Sequence, residues 1–309
     1  MHVLVTGGAG FIGSHSVEQL LEANCSVRIL DNFSSGTREN LPNHPQLEIQ
    51  EGDIRDAKAV SAAMKDMTHV LHLAAQVSVQ ASVENPTESC STNIGGFVNV
   101  LQAARESSVQ RMVYASSAAV YGRPAQLPLS ETVMAQPCSP YGLEKYVNDQ
   151  YAALFAKEFE ISLLGLRYFN VYGPRQDPQS PYAGVISKFM EMIHQHQPLA
   201  VFGDGSQTRD FIFVKDIAKA NAQALQSDMG GVCNVATGNI HSLLELIDIL
   251  SRCANQSVEV VHQAVREGDI PFSETEITRL QSLMPTDNFT SLSSGLTALL
   301  QYTSKTDNT

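Results

Sequence analysis

Met1–Ala23 reads MHVLVTGGAGFIGSHSVEQLLEA, which joins a short apolar run, spaced glycines and an amphipathic segment in one unit. Val3, Leu4 and Val5 are a β-prone run of the length of a strand buried on both faces, whereas Phe11, Ile12, Val17, Leu20 and Leu21 recur at helical spacing. The reading is strand, tight turn, helix. Gly7, Gly10 and Gly13 fall where the chain must turn sharply, offer bare backbone to a diphosphate and let the helix lie close on its strand. An anion placed there meets the unpaired N–H groups of the helix start.

A second β-prone run, Val27–Leu30, ends in Asp31, about 20 residues past the glycines, where a carboxylate can accept both ribose hydroxyls of an adenosine. This predicts NAD rather than NADP, because Asp31 repels a 2′-phosphate; Arg38 in the following loop is the one residue that softens the preference. Asn32–Asn40 is polar and glycine-containing, a loop placed to wrap the adenosine. Leu47–Gln50 makes a third strand running into Gly52, Asp53 and Ile54, with Asp53 as a hydrogen-bonding partner for the adenine. The next strand, His69–Leu73, stops at the small Ala74 and Ala75, which let a cofactor lie close; His72 reads as an ordinary sheet residue. Met112–Ser116 and Ile161–Arg167 add strands, and Asn93–Arg105 and Leu143–Phe159 add long amphipathic helices.

Strands alternating with helices to about residue 170 specify an α/β fold with a doubly wound parallel sheet. Gly173, Pro174, Pro178 and Pro181 then mark a crossing into a second lobe. The expected division is a cofactor-binding domain over 1–169, a smaller mixed α/β substrate-binding domain over 170–302 with segments returning to the first lobe, and a polar tail over 303–309. In the second lobe we expect helices at Gly184–His194, Asp216–Gln226 and Leu243–Cys253 and a strand at Leu199–Phe202.

At 309 residues the chain exceeds the size at which one core stops growing. Hydrophobic residues make up 43% and charged residues 17%, an ordinary globular balance. No apolar stretch is long enough to span a bilayer, and the N-terminus lacks the basic region of a signal peptide. The 5 cysteines are scattered without metal-ligand spacing, as expected of reduced thiols in the cytoplasm, and no metal site is predicted. A formal net charge of −12 argues against a nucleic-acid surface, so an anionic ligand would need local cations.

Tyr141 and Lys145 in SPYGLEK are one helical turn apart on one face, with Pro140 ahead as at many helix starts. A phenol is a poor base at its free pKa of about 10, and a neighbouring ammonium lowers that value. Ser117, at the end of the strand in ASSAAVYG, is the hydroxyl best placed to orient a substrate oxygen or relay its proton; Ser116 competes with it.

Together with TGGAGFIGSH, DNFSSG, GDIRD, HLAA, RYFNVYGPRQ, GDGSQTRDFIFVKDI and REGDI, these residues make the chain closely resemble the extended short-chain dehydrogenase/reductase family over residues 1 to about 300, and within it the nucleotide-sugar 4-epimerases of the UDP-galactose and UDP-N-acetylglucosamine type. The resemblance implies a Rossmann-type NAD domain. It places Gly7, Gly10, Phe11, Ile12, Asp31, Asn32, Ser35, Gly36, Asp53, Ile54, Leu73, Ala74, Ala75, Asn93, Tyr141, Lys145 and Tyr168 at cofactor-contacting positions. Asn170, Gly184, Val185, Leu199, Phe202, Arg209 and Arg266 match positions that hold the uridine diphosphate, the two arginines being the local cations that an acidic chain needs. Ser117 and Tyr141 also touch the sugar, and Ser78 and Ser273 match its walls. The small Ser273 stands where a bulky tyrosine restricts relatives to unacetylated sugars, so the expected reaction is C4 epimerisation of UDP-N-acetylglucosamine, with some activity on UDP-glucose. Within the family a 4,6-dehydratase carries an Asp-Glu pair where this chain has Ala118 and Ala119; a uronate 4-epimerase or decarboxylase is excluded less firmly. A non-catalytic dinucleotide sensor is the alternative from another class, against which the retention of Ser117, Tyr141 and Lys145 speaks. The apolar faces of Asn93–Arg105 and Leu143–Phe159, with the family's habit, imply a homodimer through an intersubunit four-helix bundle.

Overall fold

The computed structural model describes residues 1–124, 126–177, 184–265 and 273–306. The first lobe begins β1 His2–Thr6, α1 Phe11–Glu22, β2 Ser26–Asp31, β3 Leu47–Glu51, α2 Ala57–Met64 and β4 His69–His72. It continues α3 Val79–Glu84, α4 Pro86–Cys90, α5 Phe97–Glu106, β5 Arg111–Ser117, α6 Pro140–Phe159 and β6 Ser162–Tyr168. Between α4 and α5 the helix widens into a π-turn over Ser91–Gly96, a distortion often found at functional sites.

The remaining elements are β7 Asn170–Tyr172, α7 Val185–His194, β8 Leu199–Phe202, β9 Thr208–Phe213, α8 Val214–Gln226, β10 Gly231–Val235, β11 Ile240–Ser242, α9 Leu243–Ala254, β12 Val260–Gln263, α10 Thr278–Leu283 and α11 Leu292–Thr306. Chain order and spatial order part here. The helix expected in the second lobe, α8, packs on α1, and β10 adds a parallel strand beside β6. The large sheet therefore has 7 strands in the order β10-β6-β5-β4-β1-β2-β3, all parallel.

Strand alternation explains its two cores. Val3, Val5, Val27 and Ile29 point to the face covered by Val17 and Leu20 of α1 and Ile217, Ala220 and Leu225 of α8. Leu4, Leu30, Val70 and Met112 point to the other, under Val60 and Met64 of α2, Phe97, Val100 and Leu101 of α5, and Ala152 of α6. A sheet buried on both faces favours the near-continuous apolar runs seen in its strands. The smaller lobe packs α7, α9 and α11 with β7-β9-β11 and β8-β12 around Phe189, Leu199, Val201, Phe211, Leu246 and Leu296. The chain order reverses between β1 and β4, and the carboxyl ends of those strands open the crevice in which an α/β sheet of this kind binds ligands.

Candidate active site

The crevice starts with glycines that no other residue can replace. Gly7 has φ +70°, and a Cβ on it would stand 2.7 Å from the Ala74 nitrogen; one on Gly13 would stand 2.0 Å from the Gly7 carbonyl oxygen. The turn is thus pressed against both β4 and α1. Gly36 is pressed in the same way on Ala9. No side chain caps α1, and its first turn holds no acidic residue, so the N–H groups of Phe11 and Ile12 are left for an anion.

Asp31 is buried at the tip of β2, with one carboxylate oxygen accepting from the Ala9 N–H at 2.8 Å and the other from the Phe33 N–H at 2.9 Å. Each oxygen keeps a lone pair for a ribose hydroxyl. Arg38, the residue expected to soften the preference for NAD, is occupied: its guanidinium stacks 4.4 Å from the Phe33 ring centroid and donates to Glu51 at 2.8 Å. Asn32 donates to Asp53, which Arg55 also grips at 2.7 Å; the guanidinium hydrogen bonds hold that carboxyl well below the usual carboxylate range. Ser35 is exposed at the loop tip, and Ile54 is buried beneath Gly96. Leu73, Ala74 and Ala75 line the end of β4, with the Ala74 N–H donating to Thr6. A carboxylate at the adenosine end, a cradle that any Cβ would fill and small residues along β4 together fit a dinucleotide.

Two residues expected at the cofactor have their polar groups spent elsewhere. Asn93, in the π-turn, is buried; its amide donates to the Gln76 carbonyl at 2.8 Å and to Glu144 at 2.6 Å, and accepts from the Gln76 N–H. The Tyr168 hydroxyl donates to Asn221 at 2.6 Å, and Asn221 donates to Ser16 of α1. Both tie elements together under the crevice rather than presenting a free polar atom to it.

At the centre, Pro140 and the Ser139 cap start α6, placing Tyr141 in its first turn. The Tyr141 hydroxyl faces the Ser117 side chain at the end of β5. Strand alternation decides between the serines: Ser117 faces Tyr141, and Ser116 faces Asp149 in the protein interior. Lys145 is buried, donates to the Ala115 carbonyl at 3.0 Å and lies 5.8 Å from the Tyr141 ring centroid. The expectation that the ammonium depresses the phenol does not hold for this arrangement. Burial pushes Tyr141 up to about 12, opposed by the Ser117 hydrogen bond and reinforced by the Glu144 charge. Burial draws Lys145 down to about 8, opposed by Asp149 and Glu144. Desolvation outweighs the pairwise attraction because both side chains leave water.

Beneath them lies a polar chain that sequence reading missed. Asp149 accepts from the Arg167 guanidinium twice, at 3.1 and 3.0 Å, and from Tyr114 at 3.1 Å. Arg167 donates to the Tyr121 hydroxyl, which donates to Asn234, whose amide donates to the Leu129 carbonyl and Thr275. Leu129 bridges Thr275, so the chain runs from α6 to the segment holding Ser273. A signal was present in Glu144, Asp149 and Arg167, charged residues in apolar contexts, but no periodicity says which charges pair.

The expected substrate positions fall around β9. The Asn170 amide donates to the Asp210 carbonyl, Gly184 and Val185 begin α7, and Phe202 ends β8 before the glycine turn. Arg209 donates to the Thr208 carbonyl at 2.8 Å, and the Ser273 N–H donates to the Thr208 hydroxyl at 3.4 Å, which sets Ser273 beside it. Leu199 buries its side chain in the small-lobe core, so that side chain does not face a ligand, which corrects its expected placement. The Ser78 hydroxyl caps α3 by accepting from the Ala81 N–H at 2.9 Å. Arg266 lies outside the described residues.

Residues 3–236 match the NAD dependent epimerase/dehydratase family. The chain belongs to that family. It is 43% identical over 283 residues to a putative UDP-glucose 4-epimerase of Methanocaldococcus jannaschii, covering 91% of this chain and 92% of that one. Among solved structures, a UDP-N-acetylglucosamine 4-epimerase from Methanobrevibacter ruminantium in complex with UDP-N-acetylmuramic acid superposes with TM-score 0.94 at 38% identity, over 99% of this chain and 98% of that one. A Thermus thermophilus UDP-glucose 4-epimerase in complex with NAD gives 0.88 at 36% identity, over 98% of each. The family's cofactor is NAD, and the crevice of this chain fits it.

Proposed function

We propose that the chain interconverts the C4 epimers of a UDP-hexose, UDP-N-acetylglucosamine and UDP-N-acetylgalactosamine foremost, with UDP-glucose and UDP-galactose as a second pair. The observation that carries this reading is Tyr141 facing Ser117 beside buried Lys145 at the carboxyl end of β5. Bound NAD supplies a nicotinamide that takes a hydride and gives it back. Tyr141 takes the 4′-hydroxyl proton, Ser117 holds that oxygen in line, and loss of hydride from C4 leaves a 4-keto sugar. Rotation of the sugar before hydride and proton return inverts C4. Ala118 and Ala119 offer no acid or base to carry the sugar on to dehydration.

The acetylated substrate is supported by small side chains at Ser78 and Ser273, and Arg209 beside Ser273 provides a cation for the diphosphate. Tyr141→Phe combined with Ser117→Ala should lower turnover of UDP-N-acetylglucosamine by about 10²–10⁴-fold while NAD stays bound and circular dichroism is unchanged. Near wild-type turnover of that double variant would remove the assignment. We also propose that two copies associate through α5 and α6. The support is a stripe on α6, with Leu143, Tyr151 and Leu154 at 51%, 38% and 59% exposure and Val147 half-buried between them.

A further inference from the structure

We propose that Asn234 and Thr275 are positioning residues for substrate selection: they complete a one-directional hydrogen-bond chain that fixes the register of the segment bearing Ser273 against the turn that follows Ser117. That turn is short. Ala118–Tyr121 is a 3₁₀ turn started by the Ser117 hydroxyl, which accepts from the Ala119 N–H at 3.2 Å, so Ser117 and Tyr121 stand at its two ends. The segment bearing Ser273 meets Leu129 as an isolated parallel bridge at Thr275. The Leu129 N–H donates to the Glu274 carbonyl at 2.8 Å, and the Glu276 N–H donates to the Leu129 carbonyl at 2.9 Å. Two backbone hydrogen bonds specify a register weakly, since an extended segment can slip along its partner.

The side chains remove that freedom. An arginine only donates, so Arg167, at 2.9 Å from the Tyr121 oxygen, leaves the phenol proton to go to Asn234 Oδ1 at 2.6 Å. With its oxygen taken, the Asn234 amide turns its two N–H groups the other way, to the Leu129 carbonyl at 3.1 Å and Thr275 Oγ1 at 3.2 Å. Thr275 passes its own proton to the Leu129 carbonyl at 2.9 Å. Every link runs in one direction, and Tyr121, Asn234 and Thr275 are all buried. The Asn234 backbone is held as well, its N–H donating to Glu131 at 2.7 Å. Tyr121 and Leu129 belong to one apolar cluster with Val120, Phe169 and Ala236, so the chain lies in an apolar setting. A slip of one residue would withdraw the Thr275 hydroxyl and leave a buried Asn234 N–H unpaired, a cost that apolar packing alone does not impose.

The consequence for selection rests on the epimerase reading above, with Ser273 at the sugar wall; the hold on the segment does not. An acetamido group fills space against that wall and UDP-glucose leaves it empty, so the acetylated substrate reports where the wall stands. In the NAD-loaded protein Thr275→Val, which keeps the shape and deletes the hydroxyl, should lower kcat/KM for UDP-N-acetylglucosamine about three- to tenfold and that for UDP-glucose less than about twofold. Thr275→Ser should restore the ratio. Tyr121→Phe, at the far end of the chain, should move the ratio in the same direction, and the double variant should lose no more than the larger single loss. Amide hydrogen exchange at the Leu129 and Glu276 N–H groups should quicken in Thr275→Val and Tyr121→Phe and keep the wild-type rate in Thr275→Ser, with circular dichroism and NAD binding unchanged. An unchanged substrate ratio in Thr275→Val, additive losses in the double variant, or an equal loss in Thr275→Ser overturns the proposal. A wild-type protein inert toward every UDP-hexose would defeat the proposed function instead, and the exchange rates would still decide whether the chain holds the segment.

Discussion

Ser273 shows how much a single side chain decides. Its backbone N–H is docked on the Thr208 hydroxyl; with Ser273 at the sugar wall, as we propose, a large residue there takes up the space in which the sugar must turn. Steric overlap excludes a substrate more strongly than a lost methylene contact favours one, a matter of ~1–3 kcal/mol. Ser273→Tyr should suppress turnover of the acetylated pair far more than that of UDP-glucose, read as the ratio of kcat/KM values; equal losses would mean that Ser273 is not the gate. His72 illustrates a different cost. It is buried with Nδ1 2.8 Å from the Thr6 hydroxyl, and burial draws it from 6.5 down to about 3. Because its pKa is depressed, the unfolded chain binds the extra proton first: stability is full above pH 6.5 and is lost as the pH falls from 6.5 toward 3. The slope is at most about 1.4 kcal/mol per pH unit. Melting temperatures between pH 6.5 and 4.5 should therefore decline, and His72→Asn, which keeps a polar atom near Thr6, should be less stable at neutral pH but show a shallower decline.

At the scale of elements, α6 does more than present Tyr141. Its Asp149 is 4% exposed and clasps Arg167 of β6, itself 5% exposed. Removing one partner of such a pair strands the other charge, at about 3–5 kcal/mol. Asp149→Ala should lower the urea midpoint accordingly, whereas Asp149→Leu with Arg167→Met should recover most of the loss, and additive losses would contradict the pairing. This helix was legible as an element from its length and apolar residues, and Tyr141 and Lys145 from their spacing on one face. The Asp149–Arg167 clasp was not, because it joins residues whose proximity depends on β6 lying under α6. The same reason hid β10. Gly231–Val235 opens on a glycine and interrupts its apolar residues with Asn234, so no strand is announced; hydrogen bonding to β6 makes it one.

For the whole molecule, the test is association. An exposed apolar stripe over Leu143, Tyr151 and Leu154 favours a second copy of this helix. Sedimentation equilibrium at micromolar concentration should give the mass of a dimer, and Tyr151→Ser with Leu154→Glu should give a monomer that still binds NAD; a monomeric wild type refutes it. Within the chain, local chemistry in the sequence determined the strand, turn and helix of residues 1–31, the preference of Asp31 for NAD, and the Tyr141–Lys145 face. Each depends on neighbours within a few turns or on one short crossover, so spacing alone carries the information. The tertiary structure alone decided that Ser117 rather than Ser116 faces Tyr141, that Asn93 and Tyr168 spend their polar groups within the protein, that α8 and β10 return to the first lobe, and that Tyr141 sits above rather than below its free pKa. All of these follow from burial and from contacts between residues far apart in sequence, because desolvation and hydrogen-bond partners exist only once the lobes have closed around them.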